Sequence, residues 1–305
     1  MRPTHPEPPL RRSRGVTLVE LVIAMVVVAI IVAATIYFVY PLRQSVDLTA
    51  RATLTDTADN ALQRIGRDVR LALPNSVRVD GTSVEFIAVR TAGRYRADGG
   101  GGSSGTDCPA DSGISAPDSD QLAFDAADTC FKSIGTVANA NQILAGAGTG
   151  DFMVLNNYGT GFTSQDAYEA APANRVRILT HASEAGPPAR DRFTFGSTTF
   201  QRVLHDSPGR RFYVVSGPVR YVCAGGTITR VWNYPIQPDF PPTDLTGAVQ
   251  ALIAENVSGC VFDYAPNVAP QVGLLTLRLT LSRTLSGGET ESVSLYHAVH
   301  VNNAP

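Results

Sequence analysis

Arg14-Gly15-Val16-Thr17-Leu18-Val19-Glu20 decides how the rest of this chain is read. It lies within Arg11–Pro41, RRSRGVTLVELVIAMVVVAIIVAATIYFVYP, and behind Glu20 the twenty residues from Leu21 to Tyr40 carry no charge. An α-helix of that length rises ~1.5 Å per residue to ~30 Å, one hydrocarbon thickness. A charge at the bilayer centre costs about 2.5–3.5 kcal/mol and less near the ends. Glu20, at the mouth of the segment, therefore calls for a compensating partner. A secretory signal cleaved after Ala34, in Val32-Ala33-Ala34, is the rival reading. Its apolar core would occupy only about 7–15 residues, whereas this run continues six residues past Ala34. A spanning helix over 16–40 is the expectation.

Arg2, Arg11, Arg12 and Arg14 precede the apolar run, with Glu7 alone against them. The positive-inside rule keeps that end cytoplasmic and sends everything after Tyr40 across the membrane. A net charge of −2 and a pI near 6.2 argue against a nucleic-acid partner, which usually shows as a basic patch. The four cysteines, Cys108, Cys130, Cys223 and Cys260, all follow the apolar segment and fit an oxidising compartment such as a periplasm. Three connectivities are open to them; the near-neighbour pairs Cys108–Cys130 and Cys223–Cys260 are expected. No C-x-x-C or Cys/His spacing supports zinc.

The helical pattern continues beyond Tyr40. Leu42, Val46, Ala50, Leu54, Ala58, Leu62, Ile65, Val69 and Leu73 recur at steps of three and four residues, one apolar stripe along a helix. The opposite face carries Arg43, Asp47 and Arg51, then Arg64 and Asp68, spaced i,i+4. Pro41 removes a backbone hydrogen bond and is expected to kink or loosen the helix rather than end it. Leu73-Pro74 is the expected stop. Segment 41–74 thus reads as an amphipathic continuation packed on its own domain.

From Ser76 the period changes to two. Val77–Ile87 reads as a strand, a turn at Asp80-Gly81 and a return strand. Further strands are expected at Phe152–Leu155, Val176–Thr180, Arg192–Phe195, Arg211–Val215, Val219–Cys223, Thr227–Trp232, Gly259–Tyr264, Leu274–Ser282 and Ser292–Val301. Residues 94–117, with Gly99 to Gly102 in a row, read as a flexible loop. The fold class is α+β: a long N-terminal helix packed on an antiparallel β-rich domain over 75–305.

Catalytic chemistry finds no support in these residues. His297 and His300 point to opposite faces of a strand, a poor metal pair. No G-x-S-x-G, H-E-x-x-H or phosphate-binding loop is present. Asp98, Asp107, Asp111, Asp118 and Asp120 crowd the glycine-rich loop, where they either ligate calcium or solvate the loop; solvation is the plainer expectation. No catalytic residue, resident metal or cofactor is expected.

Gly15-Val16-Thr17-Leu18-Val19-Glu20-Leu21 resembles the cleavage and methylation site of type IV pilins and pseudopilins. A basic leader, a G-[apolar]-T-L-x-E core and a twenty-residue apolar run coincide over residues 11 to 40; Val16 stands where phenylalanine or methionine is usual. The resemblance implies a prepilin peptidase that cuts between Gly15 and Val16 and methylates the new amine. The leader 1–15 would be lost. It also implies a long helix packed on an antiparallel sheet, and assembly with other major and minor pilins on an inner-membrane platform. There Glu20 pairs with the Val16 amine of an adjacent subunit. Arg51–Val79, RATLTDTADNALQRIGRDVRLALPNSVRV, looks like the large minor pilin of the MSHA pilus biogenesis system. Similar segments occur in minor pseudopilins of type II secretion, the alternative function. A membrane-anchored or secreted β-domain with a ligand-binding or enzymatic role is the remote one.

Overall fold

A computed structural model describes residues 15–96, 108, 121–185, 188–201, 209–285 and 288–305, with the backbone alone for 38–48. The chain divides into two compact units, Met1–Ala52 and Thr53–Pro305. One helix, α1 (Leu18–Arg70), contributes to both. It is unbroken at Pro41, so the proline does not end it. The side chains of Leu42, Arg43, Val46 and Asp47 fall outside the described set.

In the second unit α1 buries one face. Leu54, Ala58, Leu62, Ile65 and Val69, at the three- and four-residue steps of the stripe, are at most 4 % exposed, as is Ala61 beside them. The helix ends three residues before Leu73. Leu71 and Ala72 close tight turns onto Asp68 and Val69, and Leu73 N–H then donates to the Ile87 carbonyl while Val89 N–H donates to Leu71. The segment thus trades its last helical turn for pairing with a strand, ahead of the stop that Pro74 alone would impose.

The strands, in chain order, are β1 (Arg78–Val79), β2 (Ser83–Arg94), β3 (Ala127–Lys132), β4 (Phe152–Leu155), β5 (Arg175–Glu184), β6 (Arg190–Thr199), β7 (Arg211–Ala224), β8 (Thr227–Trp232), β9 (Val249–Ala254), β10 (Val257–Ala269), β11 (Val272–Thr284) and β12 (Thr290–Asn302). Every described pairing is antiparallel. They form two sheets rather than one. The larger runs β1-β2-β7-β4-β5-β6-β3, with β8 and β9 continuing from β7; the smaller is β10-β11-β12. The expected pair Arg211–Val215 and Val219–Cys223 is one strand, β7, passing through Gly217 at φ 125°. Its partner β2 shifts register at Ala88 and Val89 to absorb the irregularity. Strands β3 and β9 were not expected.

Three apolar cores result. The first joins α1 from Leu54 to β2, β7 and β8 and to the inner face of the small sheet through Leu275, Leu277, Leu279, Leu281, Val299 and Val301. Both sheets therefore cover the helix. The second is aromatic: Phe131 stacks on Phe193 at 5.4 Å between ring centres and meets Phe212 edge-on at 5.0 Å. The third surrounds Tyr168, in the connection from β4 to β5. Disulfides join Cys108 to Cys130 on β3 and Cys223 on β7 to Cys260 on β10, so the second one ties the two sheets together.

Candidate processing and assembly segment

Gly15, Val16 and Thr17 are the last irregular residues before α1, and all three are exposed. A Cβ on Gly15 would meet nothing within 4 Å among the described residues, and its φ is not in the left-handed region. Neither crowding nor backbone conformation calls for glycine there. The residue is open to whatever acts on it from outside.

Thr17 caps the helix. Its Oγ1 accepts the Glu20 backbone N–H at 3.3 Å, and its carbonyl accepts the Leu21 N–H at 3.1 Å. Threonine followed three residues later by glutamate is the capping-box spacing, which satisfies N–H groups that the first helical turn leaves without partners. Glu20 thus sits in the first turn, where the helix dipole favours a carboxylate. The Thr17 cap was missed in reading the sequence, although T-x-x-E ahead of an apolar run is its standard signature.

Beyond Glu20 the helix is apolar on every side. Leu18–Tyr37 is long and apolar enough to cross a membrane, with a mean hydropathy of 2.9 and none of it buried. A helix greasy all round needs an apolar environment on all sides, whether lipid or other helices. Thr35 does not interrupt it, since its hydroxyl donates to the Ile31 carbonyl at 2.7 Å.

Asp68 and Asp191 are engaged within the globular unit. Asp68, at the end of the stripe-bearing helix, accepts from Arg230 at 2.8 Å and from the Tyr221 hydroxyl at 2.7 Å, tying α1 to β7 and β8. Asp191 accepts from Ser183 and contacts His181 Nε2 at 3.1 Å, both through Oδ1, while Oδ2 takes the Val137 N–H. The shared partner is the acid rather than the imidazole, so Asp191 on β6 ties β5 and the segment after β3 to one another. His297 lies against Gly66 of α1, and His300 is exposed on the opposite face of β12. Residues 1–14 of the expected leader 1–15, most of the glycine-rich loop and its five aspartates lie outside the described residues.

Residues 10–36 match the family model of the Prokaryotic N-terminal methylation motif. The match takes in Gly15, Val16, Thr17 and Glu20 and most of the apolar helix, so the N-terminal segment carries a prepilin-type methylation site. No curated protein and no solved structure matches the chain.

Proposed function

We propose that this chain is a minor pilin, a non-catalytic priming or tip subunit of an MSHA-like type IV pilus. The observation that carries the reading is where the methylation motif falls on the structure. Its glycine is the exposed, conformationally unconstrained residue just ahead of a capped helix, and its glutamate lies in that helix's first turn. Prepilin peptidase cuts between Gly15 and Val16, leaving 290 of the 305 residues. The helix holds the subunit in the inner membrane, with the leader end cytoplasmic and the disulfide-bonded domain in the periplasm. The length of the β-rich domain supports a low-copy role over that of a main shaft subunit.

Cleavage creates a cation at Val16, four residues and about one helical turn from Glu20. While the subunit waits in the membrane, the two charges offset one another within one chain. On assembly the apolar helix moves from lipid into a bundle of similar helices, one dry environment for another. Glu20 then takes the amine of a neighbouring subunit. A charge inside such a bundle must be paired, which fixes register while contributing little net stability.

Glu20→Val is expected to be inserted and cleaved normally yet fail to enter filaments; normal piliation from that variant would overturn the role of Glu20. Gly15→Ala is expected to accumulate full-length precursor. Sequencing the mature N-terminus should return methylated Val16, whereas Thr35 would mean a secreted protein and Met1 an uncut anchor. Deletion should abolish piliation; a block in protein secretion instead would place the subunit in a type II secretion pseudopilus.

A further inference from the structure

The globular unit contains a cleft of about 850 Å³ with no charged side chain in its lining. It opens beside Asn75 and Val77, in the segment that follows α1, between the hairpin joining β10 to β11 and the connection from β4 to β5. Volumes of about 300–1,000 Å³ are usual for small-ligand sites.

Both walls are held rigidly. On β10 the pairing with β11 slips between Ala265 and Ala269, so that Pro266, Asn267 and Val268 face Gly273 alone. Bulges of this kind re-aim side chains beside binding sites, and Asn267 is left exposed in the cleft. Tyr264 lies over Gly273, where a Cβ would come within 2.4 Å of the phenol oxygen. Asn303 fixes that hydroxyl by donating to it at 2.9 Å, and itself donates to the Pro266 carbonyl at 2.8 Å. Gln271, in the turn, adopts φ 61°, a conformation a side-chain-bearing residue holds at a cost.

The opposite wall belongs to the connection between the paired strands β4 and β5, residues 156–174, which has no helix or strand of its own. Irregular connections longer than about 12–15 residues are uncommon in compact domains and usually functional. Gly159, at φ 82°, lets this segment press on Asn75, whose carbonyl would stand 2.6 Å from a Cβ. The turn presents Tyr158 and Phe162 as an aromatic pair 5.6 Å apart, with Phe162 55 % exposed. Together the two rings leave an apolar face open at the cleft.

We propose that this cleft binds a neutral oligosaccharide. The aromatic rings carry negative faces that attract the slightly positive C–H faces of a pyranose. Thr160, Asn267 and Gln271 each present groups that donate and accept, matching sugar hydroxyls, which do both. Their side chains are exposed and spread over both walls. With no lysine or arginine side chain in the lining, the cleft offers no cation to phosphate or sulfate.

The site can be tested on the full chain in lipid nanodiscs by saturation-transfer NMR and calorimetry with cellotetraose and maltotetraose. One of the two is expected to bind saturably. Phe162→Ala, at an exposed position, and the double variant Asn267→Ala/Gln271→Ala should each weaken it about tenfold, or about 1.4 kcal/mol, with thermal melting unchanged. Failure of both sugars to saturate, or indifference to Phe162→Ala, would overturn the proposal. So would saturable binding of a neutral proline-rich peptide alone, which would make the cleft a peptide site. Gly15→Ala should leave sugar binding intact, since this site is independent of the N-terminal segment.

Discussion

Gly66 sits within α1, where glycine costs about 1 kcal/mol relative to alanine. Sequence alone offers no reason for it; the packing does. A Cβ there would stand 2.9 Å from His297 Nε2 and 3.2 Å from Val299 Cγ2, so β12 approaches the helix more closely than any side chain at 66 allows. The helix-propensity gain and the overpacking cost oppose each other in Gly66→Ala. Val299 is fully buried and cannot swing away, and overpacking typically costs about 1–3 kcal/mol. The variant is expected to lower the urea midpoint by an amount equivalent to about 1 kcal/mol. Adding His297→Ala should recover part of that loss, because the two positions touch. Glu20 is the converse case. Its charge is conspicuous in the sequence, whereas its local setting depends on the hydroxyl of Thr17, three residues earlier, which caps the helix.

Among elements, those with a clean period or a compact apolar run between turn residues were legible. Strand β8 falls where its alternation puts it, and β4 where the short apolar run Phe152–Leu155 does. The α1 stripe from Leu54 to Val69 also reads directly. Strand β3 buries five of its six residues at least partly, so it shows no alternation, and β9, at the end of a proline-rich connection, leaves Val249, Gln250 and Leu252 exposed. Division into two sheets was not legible, since it depends on which edges meet. The disulfide from β7 to β10 crosses that division and closes a 37-residue separation. Loop-entropy estimates for 15- and 100-residue loops are about 3 and 4.7 kcal/mol. Cys223→Ser/Cys260→Ser should therefore lose about 2–4 kcal/mol in urea denaturation. A midpoint within error of the parent would mean that the apolar core around Leu277 and Leu279 alone holds the small sheet.

Across the whole globular unit, buried tyrosines tie helix, strands and connections to shared acceptors. Their hydroxyls were invisible to pattern reading because each partner is remote in the chain. Tyr168 donates to the Ser76 carbonyl at 3.0 Å, Tyr221 to Asp68 at 2.7 Å and Tyr234 to Glu85 at 2.7 Å. Burial, first, and then the adjacent carboxylates Asp68 and Glu85 raise the pKa of Tyr221 and Tyr234. Burial followed by Glu85 does the same for Tyr168. An unfolded chain ionises its tyrosines near pH 10, while the native state keeps these three protonated well above that. The native state therefore binds more protons in this range, and stability falls as pH rises. Below about pH 10 both states are protonated and the contribution is constant. Alkaline titration should accordingly show tyrosinate absorbance from these residues rising together with loss of circular dichroism, above pH 10, in one cooperative step. Tyr221→Phe should make that pH dependence shallower, since one fewer proton is released on unfolding. Ionisation of all ten tyrosines near pH 10 with the dichroism intact would show instead that these hydroxyls are reached by solvent without unfolding, and that the network does not couple helix to sheets.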